Sequence, residues 1–117
     1  MKNQPFHRRL GHALGGIAAA WANERSFRVQ VLALAALGVA LCILRPGAVW
    51  TALLLLAATA VIAAELVNTA IEALADRLHP EQHPQIRIVK DCAAAAVLAA
   101  ALGAVGAATA LAIHLWR

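Results

Sequence analysis

The sequence predicts an all-α membrane protein, with an N-terminal amphipathic interfacial helix and three transmembrane helices in one domain, residues 1–117. Composition is the first reason: 62% of residues are hydrophobic and 14% charged, against about 45–50% and about 25% in soluble domains. The second is three runs without Asp, Glu, Lys or Arg: Val29–Leu44, Ala48–Ala64 and Cys92–Trp116. The third is the punctuation between them, Arg45-Pro46-Gly47 and the polar stretch His79–Val89.

From Pro5 to Asn23, Phe6, Leu10, Leu14, Ile17 and Trp21 recur at spacings of three and four, with His7, Arg8, Arg9 and His12 on other faces. That pattern predicts a helix over 5–23 lying in the membrane interface. No uninterrupted apolar core followed by a small-residue cleavage site occurs, so this segment is expected to stay on the chain. Glu24, Arg25 and Arg28 mark the junction to a first span over 27–44, just long enough for a hydrocarbon core of roughly 30 Å. Pro46 and Gly47 favour reversal into a second helix over 48–78. At 1.5 Å per residue that helix is about 46 Å long, so its far end projects beyond the hydrocarbon. His79–Val89 reads as a loop, and a third span over 92–116 is rich in Ala, suited to close helix packing. Cys42 and Cys92 lie in apolar runs, away from any disulfide or zinc spacing.

Charge fixes the orientation. Lys2, Arg8, Arg9, Arg25, Arg28, Arg77, Arg87 and Lys90 fall on one side and only Arg45 and Arg117 on the other. The N-terminus and the loop after the second span are therefore expected in the cytoplasm. Glu24, Glu65, Glu72, Asp76, Glu81 and Asp91 all lie on that side.

The second helix carries the chemistry. Glu65, Asn68, Glu72 and Asp76 share a helical arc of roughly 80°, and ionisable groups at that depth are costly unless they face a bundle interior or water. Glu24 and Glu72 suit a hard cation such as Mg²⁺, which often takes one or two carboxylates plus substrate phosphates. Lys90 suits a phosphate, and Glu65 suits proton removal from a hydroxyl delivered by the bilayer. These are the needs of phosphoryl transfer, although neither a GxxxxGK[ST] loop nor a protein-kinase signature is present.

The segments WANERSFR (Trp21–Arg28), ELVNTAIEALADR (Glu65–Arg77) and VKDCAAAAVL (Val89–Leu98) resemble signature stretches of the small prokaryotic diacylglycerol kinases. The resemblance implies an integral-membrane kinase, a homotrimer with active sites shared between neighbours, acting in the bacterial inner membrane on ATP and a lipid alcohol. It implies Glu65 as catalytic base, Glu24 and Glu72 as Mg²⁺ ligands, and Asn68 as their polar neighbour, with Asp76 supporting. Glu81, His83, Lys90 and Asp91 would join Glu24 and Glu72 in contacting the nucleotide, and Trp21 and Arg28 would border the lipid headgroup beside Glu65. Diacylglycerol is the expected lipid. Pro5, His12 and Ala13 depart from diacylglycerol-specific members, and HALGGI (His12–Ile17) resembles the branch that phosphorylates undecaprenol, the runner-up.

Blander readings are narrower. Asp76 is equally an interfacial ion-pair partner for Arg77 or His79, Asp91 an N-cap for the third span, and Lys90 an anchor. A proton- or cation-coupled transporter needs acidic groups reachable from both sides, and the outer half has none. A non-enzymatic assembly has no use for Glu24 and Lys90 in register with an acidic helix. No nucleic-acid partner is expected.

Overall fold

The computed structural model describes residues 2–117 and contains four helices and no strand among them. Helix α1 spans Phe6–Asn23, α2 Arg25–Leu44, α3 Ala48–Leu78 and α4 Pro84–Trp116. The last three are long and apolar enough to cross a membrane, making this a multi-pass membrane protein.

α1 starts where Pro5, which cannot itself donate, accepts bonds from the Arg8 and Arg9 amides. Its apolar stripe of Phe6, Leu10, Leu14, Ile17 and Trp21 is exposed, as expected of a helix whose partner is the lipid interface. One extended residue, Glu24, separates α1 from α2 (φ −119°, ψ 110°). Its amide closes α1 on the Ala20 carbonyl and its carbonyl accepts from Arg28, opening α2. Arg28 also turns its guanidinium back onto the elbow, donating to the Trp21 carbonyl at 2.7 Å and the Ala22 carbonyl at 3.4 Å. Together with buried Phe27, this fixes the angle at which α1 leaves the bundle.

The turn between α2 and α3 is as tight as Pro-Gly requires. Arg45 is left-handed (φ 49°) and Gly47 adopts φ 106°, which a β-carbon would disfavour. α3 and α4 then form the most extensive helix pair, α2 packs on α3, and α1 touches α2 and α3. Along α3, Leu54, Ala58, Val61, Glu65, Asn68, Glu72 and Ala75 are buried or half-buried, a seam that alternates steps of four and three. Along α4, Ala93, Val97, Ala100, Ala104, Ala107 and Leu111 repeat the same alternation. This is the 3–4 packing of nearly parallel or antiparallel helices, and alanine at four of those six positions permits close approach. Gly103 and Gly106 take no part, with nothing near the place of a β-carbon. At the Pro-Gly end, Leu41, Leu54 and Leu111 meet in a small core, flanked by Leu37, Trp50 and Ala107.

The polar connection is shorter than its composition suggests. α4 begins at Pro84, not Cys92, and only 79–83 lie outside helices there. Pro84 stands at the first helical position, where a missing amide costs nothing, and the His83 ring accepts from the Gln85 amide as the cap. Asp91 is therefore an interior helical residue and not an N-cap. Its carboxylate pairs with Arg87 one turn earlier, at 3.3 Å.

Candidate active site

The site grows out of the α3 seam. Glu65 occupies a position that Val61 and Leu54 fill one and three turns nearer the Pro-Gly turn, and it is the buried charged residue among those described, 7% exposed. Gln30 of α2 reaches its carboxyl, and its charged neighbours are Glu24 and Glu72. The extended elbow brings Glu24 there; two further helical turns, about 10 Å, bring Glu72. Among the described residues none of these three carboxylates is in a salt bridge, since the ion pairs are Arg87–Asp91 and Lys90–Asp76. Between Glu65 and Glu72, the Asn68 Oδ1 is buried without a hydrogen-bond partner. An orphaned carbonyl oxygen in a nest of unpaired carboxylates leaves acceptors in surplus and donors missing.

That donor set fits a hard cation. It is all oxygen, drawn from two segments, and lacks the nitrogen or sulfur ligands that softer metals prefer. No group of three His, Cys, Asp or Glu side chains is close enough to hold a metal unaided among the described residues. Mg²⁺ does not require one, because substrate phosphates and water complete its octahedron.

The seam continues to the loop. Asp76 leaves it, Ala75 taking the buried position, and accepts a hydrogen bond from Lys90 Nζ of α4 at 2.5 Å. The Asp76 partner is therefore Lys90 and not Arg77 or His79. Lys90 also lines a cleft of about 440 Å³ with His79, Glu81, His83, Ile86 and Arg87. A path runs from this cleft through Lys90, Asp76 and Glu72 to Glu65, all on α3, α4 and their connection. Asp91 is exposed and tied to Arg87. Trp21 is exposed at the end of α1, and Arg28 beside it is committed to the elbow carbonyls.

Gln30 was not among the residues singled out from sequence. Its signal was present: it is the one amide or charged side chain in Val29–Leu44. The structural duty of Arg28 carried no comparable signal.

Comparison with known proteins agrees with this geometry. The family model for prokaryotic diacylglycerol kinase matches residues 11–112. The diacylglycerol kinase of Escherichia coli strain K12 is 38% identical over 95 residues, covering 81% of this chain and 78% of that protein. A diacylglycerol kinase of Synechocystis is likewise 38% identical over 95 residues, covering 80% of this chain and 54% of that one. A buried carboxylate with unpaired acidic neighbours, joined through Lys90 to a polar cleft, has the parts a kinase needs at a membrane surface. The chain belongs to the prokaryotic diacylglycerol kinase family and is a multi-pass membrane lipid kinase that uses ATP.

Proposed function

We propose that this enzyme transfers the γ-phosphoryl group of Mg²⁺-bound ATP to the hydroxyl of diacylglycerol, giving phosphatidic acid, at the cytoplasmic face of the inner membrane. The observation that carries the reading is the buried Glu65 carboxyl flanked by unpaired Glu24 and Glu72. Glu65 accepts the hydroxyl proton as the lipid oxygen attacks the γ-phosphorus, while the bond to the bridging β,γ-oxygen breaks and ADP leaves. Glu24 and Glu72 hold Mg²⁺, which would neutralise phosphate charge there, and the Asn68 oxygen offers a further acceptor. Lys90 contacts phosphate, Glu81, His83 and Asp91 contact the nucleotide, and Asp76 supports Lys90. Trp21 and Arg28 border the headgroup, Arg28 by holding the elbow in shape.

Oligomerisation belongs to this reading. Between 6% and 17% of each apolar span is buried within the chain, and an apolar groove lined by Ala64, Val67, Ile71, Val89, Cys92 and Ala96 lies open between α3 and α4. A homotrimer with sites shared between neighbours would cover such faces. Undecaprenol is the second reading, supported by the HALGGI segment, whose Gly11, Gly15 and Gly16 stand open on α1. The test is ATP-dependent phosphorylation by the purified protein in mixed micelles, with each lipid offered separately and Glu65→Gln as control. Phosphatidic acid as the dominant product supports the first reading and undecaprenyl phosphate the second. Product from neither reopens the transporter and assembly classes.

A further inference from the structure

The cleft at the α3–α4 connection holds two imidazoles whose protons are fixed by backbone groups that admit only one role each. His79 Nδ1 lies 2.9 Å from the Glu81 carbonyl oxygen, which can only accept, so Nδ1 carries the hydrogen. His83 Nδ1 accepts from the Gln85 amide at 3.1 Å, which can only donate, so the ring hydrogen sits on Nε2 in the neutral form. The free Nε2 of neutral His79 is therefore an acceptor, and that of His83 a donor. The rings stand edge to face with centroids 5.4 Å apart, and both line the cleft. His79 was read from sequence as an interfacial polar residue only.

We propose that His79 is a specificity-determining residue that reads the nucleotide base and favours adenine over guanine, in partnership with His83. The proposal rests on the reading of this cleft as the nucleotide site. A donor beside an acceptor matches adenine on either of its polar edges, where the 6-amino group lies next to N7 or N1. The major-groove edge of guanine offers two acceptors, N7 and O6, which sets the His79 lone pair against O6. The cleft volume, about 440 Å³, suits a small ligand, and the cations Arg87 and Lys90 share it. A metal ion on the two rings is a poorer match, because His83 Nε2 must first lose its hydrogen while Nδ1 remains occupied.

The test is competition for the ribose-labelled fluorescent analogue mant-ATP, with Mg²⁺, on the full-length protein in micelles at pH 8, by ATP, GTP and ITP. ITP carries O6 without the guanine amino group and isolates the contact in question. ATP should compete about tenfold better than either, the scale of one lost base contact. His79→Ala should collapse that ratio towards one, and His79→Gln, which restores an acceptor oxygen, should recover part of it. The ratio is taken within one preparation and so is independent of the fraction folded. A wild-type ratio near one, or a ratio unchanged in His79→Ala, overturns the proposal. Unchanged affinity for every nucleotide in both His83→Ala and Lys90→Met shows instead that the nucleotide reading of the cleft has failed, and the proposal with it.

Discussion

The two halves of the α3 seam use the same geometry for opposite ends. From Leu54 to Val61 the inward positions are apolar and join Leu41 and Leu111 in a core. From Glu65 to Glu72 the same alternation of four and three presents two carboxylates and an amide. In a bilayer the apolar half gains little from leaving lipid, so its contribution is close packing. The acidic half weakens packing and is expensive to bury. One half can therefore be altered at the expense of the fold with little effect on chemistry, and the other at the expense of chemistry with little effect on the fold.

Glu65→Gln is the sharpest way to break that contrast. It keeps shape and polarity while removing the proton acceptor, and kcat should fall about 10³-fold, within the range for loss of a general base. Thermal unfolding in detergent should stay near wild type. Near-normal turnover would show that Glu65 is not the base. Glu72→Gln comes next: the KM for Mg²⁺-bound ATP should rise about tenfold, and excess Mg²⁺ should reverse part of the loss. Equal loss at every Mg²⁺ concentration would remove Glu72 from the ligand set.

In the apolar half, Leu54→Ala should lower unfolding stability by about 2 kcal/mol, the low end of core truncations, because lipid can enter part of the space. The kcat/KM of the protein that remains folded should be unchanged. A kinetic effect matching that of Glu72→Gln would mean that the two halves are coupled and the division is false.

Much of this architecture was legible in the sequence. Hydropathy marked three spans, Pro46 and Gly47 marked the hairpin, and a shared helical face marked Glu65, Asn68 and Glu72. What escaped depended on contacts between segments or on local caps. Polar residues and two prolines between His79 and Val89 suggested a loop, yet Pro84 is suited to begin a helix and the His83 ring caps it. The Lys90–Asp76 pair joins residues 14 positions apart, a distance that no helical periodicity reports. Gln30 was visible as a lone amide in an apolar run, and its target on α3 was not. The Arg28 side chain is spent on two carbonyls, which residue type alone could not announce.

The smallest expected effect tests whether the boundary between the halves and the cleft is functional. Asp76 is 63% exposed and Lys90 33%, so their pair is worth at most about 1 kcal/mol to stability. Asp76→Asn should leave the unfolding temperature almost unchanged. It should nevertheless raise the KM for ATP roughly twofold to fivefold with kcat nearly constant, since a freed Lys90 must be ordered again by each incoming phosphate, at a cost of about 0.5–1.5 kcal/mol for a flexible side chain. Salt separates this from a simple change in net charge. An exposed pair is screened at high ionic strength, so wild type at 0.5 M salt, an assay setting of about half the Debye length of physiological buffer, should approach the variant, while the variant itself shifts less. If both enzymes lose affinity in parallel as salt rises, Asp76 does not position Lys90, and the acidic half of the seam ends at Glu72.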